Sequence, residues 1–232
     1  MIAILSDIHS NLYALEAVLQ DMPEVSAVYI LGDMVGGANP FPCEVLDRLM
    51  DLNIPVSAIL GNWEWWMLDI KRGIPMESKN ICGMWTMNAL KERHWRFLEN
   101  LSPNKCIGDM LIFHGSPDKL TGGALEQEEA EALAKGQDAK WLIGGHTHKA
   151  KLFQVGAQYV VNAGSVGLSS NNIGGTACYL LLDGDKISFR HITYDLEAAV
   201  KAIKDSEIYT VDNDSAIKTI TAMRSGNYNQ WK

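Results

Sequence analysis

Short apolar runs punctuate the first two-thirds of the chain, and each stops at a glycine or a polar residue. They read "IAIL" before Ser6-Asp7, "AVYIL" before Gly32-Asp33, "VSAIL" before Gly61-Asn62, "MLIF" before His114-Gly115 and "WLI" before Gly144-Gly145-His146. Runs of this length, β-branched and bounded by turn signals, predict buried strands. Helical spacing fills the intervals. Leu12, Leu15, Val18 and Leu19 make one apolar face, with Asn11 placed to cap it. Val45, Leu46 and Leu49 make a shorter one. A single longer helix is predicted from about Trp85 to Leu101, with Leu90, Phe97 and Leu101 inward, Lys91, Glu92 and Arg93 outward, and Pro103 as its stop.

From Lys151 the spacing tightens into successive strands, "KLFQV", "QYVVNAGS" and "TACYLLLDGDKISFRHITY", with a hairpin signalled at Asp183-Gly184. Helical spacing returns in "DLEAAVKAIKD" and "DSAIKTITAM". Strands alternating with helices predict a layered α/β fold. We expect a domain over 1–195 and a helical extension over 196–232 packed on it, with no function legible in the extension.

Composition narrows the classes. The 232 residues are 47% hydrophobic and 21% charged, enough to bury a sizeable core. A net charge of −8 argues against a general nucleic-acid or membrane-surface binder, since both need a positive field. No run approaches a membrane span, and "MIAILSDIHSN" lacks the basic start of a secretory signal, so the expected location is cytoplasmic. Cys43, Cys82, Cys106 and Cys178 are far apart with no C-x-x-C pair, so free thiols are expected. An oligomer is compatible with all of this, and nothing in it fixes the number of copies.

Candidate chemistry sits where the strands end. Asp7 and His9 follow the first run, Asp33 the second, Asn62 the third and His114 a fourth, while His146 and His148 follow a fifth. In extended chain, residues two apart point the same way, so Asp7 and His9 are expected to meet one ion. Each residue has an ordinary alternative: an aspartate after a strand caps a helix, an asparagine beside glycine makes a turn, a lone histidine is structural. Four of six histidines at strand ends, two of them in an H-x-H, favour metal binding over coincidence. His94 and His191 are read as structural or surface groups.

These residues resemble the calcineurin-like metallophosphoesterases, whose motifs run D-x-H, G-D-x-x-G, G-N-H-[DE], a lone H, then G-H-x-H. Here they read "DIH" (Asp7, His9), "GDMVG" (Gly32 to Gly36), "GNWE" (Gly61 to Glu64), "HGS" (His114) and "GHTH" (Gly145 to His148), in the family's order. "NAGSVG" and "SDIHSNLYAL" resemble further segments of the compact bacterial and archaeal members. The resemblance implies a four-layer α-β-β-α sandwich, two mixed sheets flanked by helices, with two divalent metal ions at one edge. It would give one metal Asp7, His9 and His148, the other Asn62, His114 and His146, with Asp33 bridging. Donors of this kind suit Mn, Fe, Zn or Ni. Two such ions about 3.5–4 Å apart clamp a phosphoryl group and make hydroxide available near neutrality, which implies attack by a metal-bridging hydroxide on a small phosphorylated substrate.

The departure is Trp63. The family's histidine there protonates the leaving oxygen and the next acid orients it, so the implied catalytic positions are Asp33, Asn62, Trp63 and Glu64. Indole N–H does not titrate usefully, and such proton transfer is worth ~10²–10⁴-fold. An alkoxide needs that proton, and a phosphate leaving group, with a second pKa of about 6, does not. The expectation is a phosphohydrolase for phosphoanhydrides, dinucleoside polyphosphates included, or activated aryl diesters. Trp63, Trp65 and Trp66 also raise a choice between helix packing and a stacking surface for a nucleotide base. The competing class is a metal-binding scaffold or nucleotide sensor, with the family's retromer subunit, which lacks the same histidine, as precedent.

Overall fold

The computed structural model describes residues 1–75 and 80–228. In chain order the strands are β1 (Ile2–Leu5), β2 (Val28–Ile30), β3 (Val56–Ala58), β4 (Asn104–Ile107), β5 (Met110–Phe113), β6 (Trp141–Gly144), β7 (Lys151–Val155), β8 (Gln158–Asn162), β9 (Thr176–Asp183) and β10 (Lys186–Thr193). The helices are α1 (Leu12–Asp21), α2 (Pro42–Met50), α3 (Asn62–Lys71), α4 (Ile81–Ala89), α5 (Glu92–Glu99), α6 (Gln127–Ala134), α7 (Leu196–Asp205), α8 (Glu207–Val211) and α9 (Asn213–Ser225).

Two five-stranded sheets form, in the orders β10-β9-β1-β2-β3 and β4-β5-β6-β8-β7. Each mixes parallel and antiparallel pairs. β1, β2 and β3 run parallel, as do β5, β6 and β8. Ile4, Leu31, Ile59, Ile112, Ile143, Val161 and Leu180 fill the space between the sheets. The outer face of the first sheet is covered by α1, α2, α3 and α5 through Leu15, Val18, Leu46, Leu49, Met67 and Leu98. On the second sheet, α6 packs Ala130 and Ala134 against Leu111, Phe113 and Leu142. The expected layering of helices on two mixed sheets is what the molecule has. Parallel neighbours bring their carboxyl ends to one edge, where ligands bind in sheets of this type.

The five apolar runs form β1, β2, β3, β5 and β6, Asn11 accepts the Ala14 amide as the cap of α1, and β9 and β10 make the hairpin. One expected element fails. The long helix from Trp85 to Leu101 is two helices, because Leu90 and Lys91 are extended (ψ 135° and 163°). Buried His94 accounts for the restart: its Nδ1 accepts the Lys91 amide (3.1 Å), while its Nε2 meets Asp47 (2.8 Å). Strand β4 went unread because its residues are mostly exposed and carry no alternation.

In the C-terminal segment, α7, α8 and α9 bury Val200, Ile203, Ile208, Ala216 and Met223 with Ala38, Cys82 and Leu168. Residues 229–232 of the expected extension lie outside the described residues. The four cysteines are free. Among the described residues no helix is long and apolar enough to cross a membrane.

Candidate metal centre

The seven candidate side chains converge at the shared strand edge, although they start from strands in both sheets. Their backbone is unusual. Asp7, His9, Asp33, His146 and His148 all have positive φ, between 49° and 66°. Left-handed non-glycine residues each cost of order 1–3 kcal/mol and persist where the surroundings enforce them. Asp7 and His9 therefore meet through a coiled turn and not through extended chain. The turn is held by backbone bonds from β2's exit loop: His9 N–H to Asp33 O (2.9 Å) and Ser10 N–H to Met34 O (3.0 Å).

Two groups of donor atoms result, Asp7-His9-His148 and Asp33-His114-His146, each compact enough to hold an ion. In the first, His148 Nε2 lies 3.1 Å from His9 Nε2 and 3.2 Å from Asp7 Oδ1. In the second, Asn62 Oδ1 lies 3.1 Å from His114 Nε2 and 2.9 Å from His146 Nδ1. Asp33 Oδ2 stands between the groups, 3.3 Å from His114 Nε2 and 3.7 Å from His9 Nε2.

The outer partners fix which atoms face inward. His114 Nδ1 meets the Leu31 carbonyl (2.6 Å) and His148 Nδ1 the Leu168 carbonyl (2.8 Å), which points each Nε2 into the cluster. Asp7 Oδ2 accepts from Ser6 Oγ (2.6 Å) and the His146 amide (3.0 Å). Its Oδ1 is buried without a hydrogen-bond partner, as is His9 Nδ1. A buried carboxylate oxygen crowded by imidazole nitrogens is costly unless a cation or proton completes it. The donor set fits divalent ions.

The charges of the cluster depend on one another. Burial pushes the Asp7 carboxyl up, but the His148, His114 and His9 rings outweigh it and hold it well below the usual range. Burial likewise raises Asp33 and the His114 ring overrides it. Burial drives His9 and His146 down to about 4, so both are neutral at pH 7. At His114 burial opposes the charge, yet Asp33 and Asp7 prevail and raise it to about 10, so the ring carries a proton that a bound cation would displace.

Trp63 donates its backbone amide to Asp33 Oδ1 (2.9 Å), while its side chain is 7% exposed and joins the core. The indole stands edge-on to His9 with ring centroids 6.3 Å apart. It also fills the space beside Gly36, where an added Cβ would fall 2.3 Å from the ring. Glu64 is fully buried and accepts three backbone amides, from Asp33 (2.8 Å), Val35 (3.1 Å) and Gly61 (2.8 Å). It ties together the loops that carry Asp33 and Asn62. Burial, then the Asp33 charge, raises its carboxyl to about 7. Of the three tryptophans, only Trp65 and Trp66 line a cavity next to Asn62.

Tyr228 is the residue that sequence reasoning missed. It follows α9, its amide donates to Ser170 Oγ (3.0 Å), and its ring stacks on His148 with centroids 3.6 Å apart and planes at 14°. No motif marks it, and 80 residues separate it from its partner.

Residues 1–187 match the model of the calcineurin-like phosphoesterase superfamily domain. An uncharacterised protein of Methanocaldococcus jannaschii is 30% identical, the match covering 88% of this chain and 91% of that protein. The fold is shared with a metallophosphoesterase from Sphaerobacter thermophilus, at TM-score 0.78 and 24% identity over 95% of this chain and 99% of that one. It is shared also with a hypothetical protein from Pyrococcus horikoshii, at TM-score 0.78 and 20% identity over 97% and 99%.

Proposed function

We propose that this chain, which belongs to the calcineurin-like phosphoesterase superfamily and is a metal-dependent phosphoesterase, hydrolyses phosphoanhydrides or phosphodiesters with good leaving groups at a centre of two divalent ions. Asp7, His9 and His148 would hold one ion and Asn62, His114 and His146 the other, with Asp33 within reach of both. The observation that carries this reading is the convergence of two carboxylates and four imidazoles, all but one of them buried, into two groups of donor atoms each compact enough for an ion. Nitrogen and oxygen donors without thiolate suit Mn, Fe, Zn or Ni. When bound, such ions polarise a phosphoryl group and acidify a water toward neutrality.

The chain's own residues do the rest. The carbonyls of Leu31 and Leu168 hold His114 and His148 with Nε2 toward the cluster, and Glu64 holds the Asp33 and Asn62 loops in register. Trp63 anchors Asp33 through its amide and seals His9 with its ring, so position 63 offers no proton to a leaving oxygen. Leaving groups that depart as stable anions are favoured accordingly. A small phosphorylated substrate, such as a dinucleoside polyphosphate, meets that condition.

The test is product release from diadenosine tetraphosphate, an activated aryl diester, a cyclic nucleotide and an alkyl monoester, with Mn²⁺ and again with EDTA. EDTA-sensitive turnover of the anhydride and the aryl diester, with the alkyl monoester inert, is expected. Turnover of the alkyl monoester at a similar rate would contradict the leaving-group claim. No turnover of any substrate with manganese bound would replace the enzyme by a sensor or scaffold.

A further inference from the structure

We infer that the cavity beside Asn62 is a nucleobase site, with Trp65 the face on which the base of a nucleotide substrate stacks. This rests on the phosphohydrolase reading above and says what the substrate carries besides its phosphates.

Helix α3 sorts its residues onto two faces. Trp63, Glu64, Met67 and Leu68 are buried. Asn62, Trp65, Trp66 and Asp69, at i, i+3, i+4 and i+7, make one stripe, and all four line a cavity of about 460 Å³. Helical rise places the two indoles only ~4.5–6 Å further along the axis than Asn62. One wall of the cavity therefore begins at a side chain 2.9 Å from His146 and continues over two aromatic surfaces. A phosphate at the metal centre would leave its nucleoside beside them.

The two rings differ in support. Trp66 is packed from behind by α4, where a Cβ added to Gly83 would fall 2.4 Å from the ring. Trp65 is 38% exposed, a large apolar ring left in water next to reactive groups. Across the cavity, Asn104 donates its amide to the Pro117 carbonyl (2.9 Å), which fixes the opposite wall. The volume falls in the range of small-ligand sites. Lys119 on the cavity wall suits the phosphate chain and the indoles suit a ring, while the Asp69 carboxylate, 3.5 Å from Arg72 Nη1 through one oxygen, gives an acceptor for the amino edge of a base, which an unsubstituted aryl group could not use.

The test compares two anhydrides, diadenosine tetraphosphate and inorganic tripolyphosphate, which has no base. Stacking energies imply that Trp65→Ala raises KM for the former about 10-fold, with KM for tripolyphosphate unchanged and thermal stability preserved. Trp65→Phe should restore most of the loss. A KM that rises equally for both substrates, or for neither, overturns the inference. If neither is hydrolysed, the functional reading fails on its own, and calorimetry with adenosine in EDTA decides the site: binding that Trp65→Ala abolishes supports it, and binding that survives, or none in the parent protein, overturns it.

Discussion

The two proposed metal positions use nearly the same chemistry in unlike surroundings. Asp7, His9 and His148 are at most 1% exposed, with Trp63 edge-on to one imidazole and Tyr228 stacked on the other. Asp33 and His114 are as well buried, but His146 and Asn62 are only partly so, and Asn62 opens onto the indole-lined cavity. One position is closed by aromatic rings and the other opens onto the cavity from which the proposed substrate would enter. Burial strengthens each charge interaction at the closed position, while the open one presents its ligands to an incoming phosphate.

The largest effect expected from breaking this comparison comes at Asp33, which both positions share. Asp33→Asn should lower turnover ~10³-fold or more, since metal assistance supplies several kcal/mol of transition-state stabilisation. Loss of both ions together, read by elemental analysis, would mark it as the bridge. Loss of neither would remove it from the site.

Trp63→His tests the seal and the missing proton donor at once. Replacing a core indole by a smaller ring costs a few kcal/mol, below the ~3–5 of a Trp→Ala truncation, and appears as a lower Tm. Rates on alkyl monoesters should rise relative to rates on anhydrides. An equal change on both classes would mean that protonation of the leaving group is not what the tryptophan forgoes.

Tyr228→Ala sharpens the comparison from the other side. Losing an aromatic stack worth ~0.5–1.5 kcal/mol should weaken retention of the ion at Asp7-His9-His148 and leave the Asn62 side unchanged. Sequential loss of two equivalents on dialysis, where the parent protein loses them together, is the readout. Tyr228→Phe keeps the stack and should behave as the parent.

The smallest effect is a control far from either position. Arg190 and Tyr179 donate to Asp21 and hold its carboxyl below the ordinary value, chiefly through Arg190. A lowered folded pKa means that the contribution is present above the unfolded value near 4 and is lost as pH falls below it. At this partly exposed place it amounts to ~0.5 kcal/mol. Asp21→Asn should remove that acid-dependent share of stability without changing metal content.

How much could be read in advance follows the same divide. The motif residues were legible because each stands just past an apolar run, and parallel strands carry such exits to one edge. What holds them there was not: the left-handed backbone of five of them needs bonds from a neighbouring loop that spacing does not reveal. The tryptophan cluster was ambiguous as a string. The helical period resolves it, with positions 63, 64, 67 and 68 inward and 62, 65, 66 and 69 toward the cavity. The restart at Leu90-Lys91 depends on His94 reaching Asp47, and the Tyr228 stack depends on where the last helices dock. Both are tertiary contacts between distant segments, outside the reach of local pattern.

The most direct measurement is an anomalous difference map from a crystal of the manganese-loaded protein. The account predicts two peaks, one among Asp7, His9 and His148 and one among Asn62, His114 and His146, with Asp33 touching both. A single peak, or none at saturating manganese, would contradict it.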